Sequence, residues 1–448
     1  MTTKTTEFTT TAPSITRRAV LGSVAGTAIA SALPRPTIAQ TGRSLTFAFA
    51  PDDSGAIQQL LDGFAAETGI AVNWRRMDRL TDSYFREMQS DFIAGAEDID
   101  VFGADVVWTA ELAAAERILD LGSLARAPQG TYVPAALRST VYRNRSYAVP
   151  WYTDAGLLYY RRDLLDGAGL TPPRTWTELA QHARAIMDTT GTAHGFVFQG
   201  DAYEGGVTNM MEFIWSAGGR PWTGQVSVPG ALSMGQATRD PNVVTLNSPD
   251  TIQGLTTARA LVAEGIAPPD VTDIRELEAL DRFAAGDAVF MRNWPFAFGA
   301  MRARGMDASQ IGVAPIPTLS NERESYSCLG GWNLAVPATA QNRSAALDFI
   351  AYATRPDSQR MMAEVGGFLP VLSSLYSDET LREAAPVVAV GETAVANARA
   401  RPASPIYSLL SPRLAFMFED VLSGERDPAI AVERTETELR RILRQYDI

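Results

Sequence analysis

The chain predicts an α/β protein built on a parallel sheet, and three observations carry that prediction. Strand-like and helix-like patterns alternate with short links from Ser44 to Arg117, as in a parallel sheet with helical crossovers. At 448 residues the chain is longer than one core usually holds, so two domains are expected. A short apolar run, Ala288-Val289-Phe290-Met291, follows Gly286-Asp287 and breaks off at Asn293-Trp294-Pro295. It reads as a buried strand after a turn, ended by a proline that cannot donate to a ladder. Trp294 then stands at the carboxyl end of a strand, where open α/β sheets take their ligands. It is either a core residue or a ligand-facing one.

Each element follows in order. Ser44–Ala50 alternates like a first strand, and Asp52-Asp53-Ser54 can cap the helix carrying Ile57, Leu60, Leu61 and Phe64. Ile70–Trp74 is a second strand, and Leu80, Tyr84, Met88 and Phe92 form one face of a second helix. Ile99–Val107 is a third strand, buried throughout. A carboxylate at its end, Asp105, would be costly to bury unpaired, so it either caps the next helix or faces a ligand. Tyr147–Arg161 (YAVPWYTDAGLLYYR) places Trp151, Tyr152 and Asp154 between two extended segments. That pattern fits a hairpin or a passage between domains. Thr175-Trp176-Thr177-Glu178 is a capping box. Strands are expected at Gly195–Phe198, Ile311–Pro315 and Leu329–Pro337, and helices at Asn209–Ala217, Thr251–Glu264 and from Leu347. Residues 222–248 show no period and read as a long surface loop. Arg401-Pro402-Ala403-Ser404-Pro405 is a proline-stiffened loop that holds an arginine for hydrogen bonding.

Composition narrows the function. Hydrophobic residues are 46% and charged residues 20%, as in a soluble globular protein. Net charge is −12, which argues against nucleic acid and anionic membranes as partners. Lys4 is the only lysine. The single cysteine, Cys328, excludes an internal disulfide and a cysteine metal cluster, and His182 and His194 are too far apart for a helical metal pair. No cofactor or metal is expected. There is no P-loop, GxGxxG, GxSxG or HExxH. What remains is a set of Trp, Tyr, Asp, Gly and Arg at strand ends. Such a mixture suits a pocket with apolar walls and a few placed polar groups.

The N-terminus reads as an address. A polar stretch is followed by Thr16-Arg17-Arg18 and an uncharged run of small and apolar residues to Leu33. This is a twin-arginine signal peptide over residues 1–39, with cleavage expected after Ala39 or, as a second site, after Ala30-Ser31-Ala32. Without a cysteine there, no lipid anchor is expected, and the product should be periplasmic.

The motifs TWTELAQHARAI (175–186), FAAGDAVFMRNWPFAF (283–298), GGWNLAVP (330–337) and AALDFIAYATRPDSQRMMAEVGGFLPV (345–371) resemble the extracellular solute-binding proteins of ABC sugar importers. DVFGADVVWTAELA, YTDAGLLYYRRDLL, NWPFA, GGW and RPASPIYS are similar to the trehalose/maltose-binding branch. The resemblance implies a two-lobed periplasmic binding protein fold, each lobe a mainly parallel sheet flanked by helices, with three interdomain crossovers near 150–154, 293–296 and 331–335. The lobes would be 44–151 plus 296–331, and 153–293 plus 335–448. It further implies sugar contacts at Asp105, Tyr152, Asp154, Trp294, Gly331, Trp332 and Arg401, with Asp53 and Arg79 as additional polar candidates. The implied function is binding, not catalysis. An α-linked disaccharide is expected, trehalose first, then maltose or sucrose. The partners are a membrane permease and a separate ATPase, and the chain itself should be a monomer. Rival readings are another solute (an anionic sugar, a glucosyl-polyol or a monosaccharide), a secreted glycosidase, or a module for chemotaxis or signalling.

Overall fold

The computed structural model describes residues 43–122, 131–223 and 243–446. The expected leader and most of 222–248 lie outside the described residues. The chain opens with β1 (Ser44–Phe49), α1 (Ala56–Thr68), β2 (Ala71–Arg76), α2 (Thr81–Ala94), β3 (Val101–Asp105) and a short α3 (Thr109–Ala114). Strands β1, β2 and β3 pair in parallel, as the alternation of patterns requires. Asp52 starts α1 by accepting from the backbone N–H groups of Ala56 and Ile57. After α4 (Pro134–Ser139) and a two-stranded hairpin of β4 (Val141–Tyr142) and β5 (Arg145–Ser146), β6 (Val149–Ala155) runs straight on through Gly156 into β7 (Leu157–Arg161).

The turn to the second sheet is made at that glycine. Strand β6 belongs to one sheet and β7 to another, so this segment is a passage between lobes, not a hairpin. Gly156 is required there because a Cβ would lie 2.0 Å from the Glu212 carboxylate. The second lobe continues with α5 (Arg162–Ala168), α6 (Trp176–Thr190), β8 (His194–Val197) and α7 (Glu204–Ser216). Helix α6 starts at the expected capping box, with Thr175 Oγ1 accepting from Glu178 N–H at 3.1 Å and Glu178 accepting from Thr175 N–H at 3.3 Å. A small pair, β9 (Trp222–Thr223) with β10 (Val243–Val244), brackets the undescribed loop, and α8 (Pro249–Ala263) and α9 (Glu276–Ala284) follow. Then come β11 (Ala288–Asn293), α10 (Phe296–Ala303), β12 (Ile311–Ala314) and β13 (Leu329–Ala335). The chain closes with α11 (Arg343–Ala353), α12 (Pro356–Gly366), β14 (Leu369–Pro370), α13 (Glu379–Ala384), α14 (Pro386–Ala396), α15 (Tyr407–Ser423) and α16 (Pro428–Gln445).

The first sheet has the order β14-β6-β13-β3-β1-β2 and the second β12-β7-β11-β8. Both are mixed, which corrects the expectation of mainly parallel sheets. Only β1–β2 and β1–β3 in the first and β8–β11 in the second run parallel. Strands that arrive through a passage from the other lobe enter from the opposite end, and they pair antiparallel: β13 with β3 and β6, β7 with β11 and β12.

The strand pairing also divides the chain differently from the expected boundaries. Residues 296–331 were assigned to the first lobe, yet β12 pairs with β7 in the second sheet. Residues 335–448 were assigned to the second, yet α11 and α12 pack on α1, and α14 packs on β6 and β14. Only α15 and α16 return to the second lobe, against α7 and α8. The expected crossover at 293–296 leads from β11 of the second sheet to α10, which packs on α12 of the first lobe, and the chain returns to the second sheet at β12. Further passages lie at Gly156, between β12 and β13, and between α14 and α15. An apolar strand of four residues carries no mark of the sheet it joins, because its side chains are buried in either.

Candidate functional site

The register of β13 assembles the first-lobe side of a cavity. Trp332 pairs with Asp105 on β3 and with Tyr152 on β6, and Gly330 stands opposite Asp154. A bulge between Trp332 and Asn333 breaks the β13–β6 ladder at this point and turns the strand. Gly331 has φ 112° and lies so close to β6 that a Cβ would be 2.6 Å from the Tyr152 carbonyl oxygen. Only glycine adopts this backbone without strain. The Trp332 ring is fixed from beneath by Phe49, Tyr84 and Trp108, at centroid distances of 4.9, 5.6 and 5.3 Å. Tyr84 is itself pinned by bonds from its hydroxyl to the Ala48 and Gly103 carbonyls, both 2.8 Å.

Strand β11 supplies the second-lobe side. It ends at Asn293, whose side chain accepts from Trp294 N–H at 2.8 Å, and Trp294 is left half-buried at the end of the strand. Its ring covers the Arg292 guanidinium at 4.0 Å, and its Nε1 donates to Glu276 at 3.3 Å. Arg292 is fully buried and bonded twice to Glu212, at 2.6 and 2.8 Å, with Gln199 as a third partner at 3.2 Å. The pair gives the Trp294 ring a rigid backing. Cys328 lies in the same network, its N–H donating to Glu212, and burial pushes its thiol up to about 12. That thiol is no nucleophile at neutral pH.

All nine residues singled out in the sequence line this one cavity of about 430 Å³: Asp53, Arg79, Asp105, Tyr152, Asp154, Trp294, Gly331, Trp332 and Arg401. Their settings differ. Asp105 accepts from Val107 N–H at 3.0 Å and faces Arg401 at 3.5 Å, so it both starts the turn after β3 and lines the cavity. Burial pushes its carboxyl up to about 6 against the pull of Arg401. Asp154 is held well above the usual carboxylate range by burial, with Asp105 adding to the rise and Arg292 opposing it, and its Oδ1 is buried without a protein partner. A hydroxyl or amine donor in the cavity would satisfy that atom. Arg401 is buried and bonds Glu204 and the Leu329 carbonyl, the latter at 3.2 Å. Asp53 and Arg79 bond each other at 2.6 Å on the rim.

Several cavity residues were missed. Glu204 and Glu276 each open a helix, α7 and α9, and bind neighbouring side chains: Glu204 takes Arg401, Tyr407 and Ser411, and Glu276 takes Tyr203. A signal was present in Asp201-Ala202-Tyr203-Glu204-Gly205-Gly206, an acidic, aromatic and glycine-rich stretch directly after a strand. Phe49, Phe296 and Phe368 also line the cavity, but nothing local separates them from core phenylalanines.

Comparison with known proteins agrees with this geometry. The family model of the bacterial extracellular solute-binding proteins matches residues 50–360. A probable ABC transporter-binding protein of Deinococcus radiodurans is 32% identical over 418 residues, spanning 90% of this chain and 95% of that one. The chain belongs to the bacterial extracellular solute-binding proteins. Among solved structures with this two-lobed fold, maltose-bound T. maritima MalE3 is 30% identical with a TM-score of 0.80, covering 89% of this chain and all of that one. The GacH receptor of Streptomyces glaucescens is 24% identical with a TM-score of 0.78, over 90% and 99% of the two chains. The family and the relative from Deinococcus radiodurans are described as solute-binding or transporter-binding proteins. Among the described residues no helix is long and apolar enough to cross a membrane.

Proposed function

We propose that this solute-binding protein takes an α-linked disaccharide, trehalose first and then maltose or sucrose, between its two lobes, and delivers it to an ABC permease driven by a separate ATPase. The observation that carries the reading is the interleaving of rings and carboxylates around one cavity. Trp294 and Tyr152 offer faces for the C–H surfaces of sugar rings, and Asp105, Asp154 and Glu276 offer acceptors for hydroxyls. The volume falls within the roughly 300–1,000 Å³ of small-molecule sites. T. maritima MalE3, the 30% identical relative, was solved with maltose. An anionic sugar is disfavoured, because Arg79, Arg275 and Arg401 each already face a carboxylate of the chain. The lobes close on the ligand about the passages between them, and export through the twin-arginine leader places the product in the periplasm.

A thermal-shift panel on the chain from Gln40 onward tests the reading. A ligand of the native state raises the melting temperature by mass action, about 2.7 kcal/mol of stabilisation at a hundred times Kd. Trehalose, maltose and sucrose are set against glucose, glucosylglycerol, mannitol and a sulfonated sugar. A shift with an α-disaccharide is expected. A shift confined to the polyols or to the sulfonated sugar overturns the disaccharide assignment.

A further inference from the structure

Outside the cavity, one carboxylate reaches from the first lobe to the second. Glu111 sits on α3, which follows β3 of the first sheet. Its Oε2 accepts from the backbone N–H of Ser408 at 3.1 Å, and its Oε1 accepts from the Ser408 hydroxyl at 2.8 Å. Ser408 is the second residue of α15, a 17-residue helix packed on α7, α8 and α16 of the second lobe. No residue at the start of α15 caps it with a side chain; the Tyr407 and Leu409 N–H groups donate to the Ser404 and Ile406 carbonyls, and the Ser408 N–H is served from across the cleft. A carboxylate at that end also meets the positive pole of the helix. Gln89 of α2 bonds the same carboxylate at 3.4 Å and holds it on the first lobe. Glu111 does not line the cavity. Burial pushes its carboxyl above the usual range, and the two Ser408 bonds pull it back.

We infer that Glu111 and Ser408 form an interlobe clasp that holds the closed form and sets how long a ligand stays bound, without touching the ligand. The inference rests on the reading that the lobes close around a solute. Opening separates α3 from α15 and exchanges both bonds for bonds to water. Closing restores a two-point cap on α15. Glu111 is thus a positioning residue for closure. Its loss should speed release and leave the encounter with the open form unchanged.

The test is stopped-flow tryptophan fluorescence with maltose and trehalose as probes, on wild type, Glu111→Ala, Glu111→Gln, Ser408→Ala and the double variant Glu111→Ala/Ser408→Ala. Glu111→Ala should raise the dissociation rate about tenfold with the association rate held within about twofold, as for loss of hydrogen bonds to a charged group. Glu111→Gln keeps acceptor capacity and should fall between wild type and Glu111→Ala. The double variant should be no worse than Glu111→Ala. An unchanged dissociation rate, or a loss carried by association alone, overturns the clasp. Should neither sugar bind the wild type, the disaccharide reading fails and the clasp is read separately. Nitroxides at Ser90→Cys on α2 and Phe416→Cys on α15 then report the lobe separation of the ligand-free protein by pulsed dipolar spectroscopy. Fewer short distances in Glu111→Ala support the clasp, and identical distance distributions overturn it.

Discussion

Trp294 shows how a single residue acquires a functional setting. Its position after a buried strand and before Pro295 was legible in the sequence, but either a core or a cavity location fitted. The structure leaves it half-buried, with Arg292 behind the ring and Glu276 on its Nε1. Replacing Trp294 with Ala should weaken the bound sugar by about 1–3 kcal/mol, the range of aromatic anchors. Trp294→Phe should lose less, since it keeps a ring for stacking. Titration calorimetry with the sugar that stabilises the protein checks both, and equal affinity across the three proteins rules out stacking at this ring. Glu204 and Glu276 were not found because an acidic residue in the first turn of a helix is ordinary helix chemistry. Only the direction in which α7 and α9 point makes them cavity residues.

At the scale of elements, the sequence was most informative where a local interaction decides the outcome. The Thr175 capping box is one case, since both of its bonds lie within four residues. Thr175→Ala should lower stability by about 1 kcal/mol, seen as a lower urea midpoint with unchanged slope. Because α6 starts away from the cavity, sugar affinity should not change; a matching loss of affinity would contradict a purely local role. Strand β12 is the opposite case. Ile311–Ala314 was recognised as a strand but placed in the wrong lobe, because pairing with β7 is a long-range choice that no local pattern records. The same holds for α11 to α14, whose amphipathic faces fit either lobe equally well.

Across the whole molecule, the cavity concentrates buried carboxyl groups, and this gives stability a pH dependence of known sign. Asp105 is raised from an ordinary 3.8 to about 6 in the folded protein. Its contribution is therefore fully present below pH 3.8 and is lost as pH rises through about 6. Asp154 is shifted in the same direction. In the ligand-free protein, Asp105→Asn should gain stability relative to wild type between pH 4.5 and 7.5, on the order of 2–3 kcal/mol. Urea unfolding at several pH values measures that difference. A difference that stays flat with pH would mean that Asp105 is not buried as a charge in the free protein.

Taken alone, the sequence determined the α/β class and most strands and helices, and the resemblance of its motifs to the sugar-binding family pointed to nine of the residues that meet at the cavity. The elements depend on periodicity and caps, and the resemblance on short motifs at strand ends, all of which are written locally. The tertiary structure alone decided which sheet each late strand joins, where the chain passes between lobes, and that both sheets are mixed. It alone brought Glu204, Glu276 and the Glu111–Ser408 bond into view. Each of these depends on contacts between residues far apart in the chain, 297 positions apart for Glu111 and Ser408, and such contacts exist only once the chain has folded.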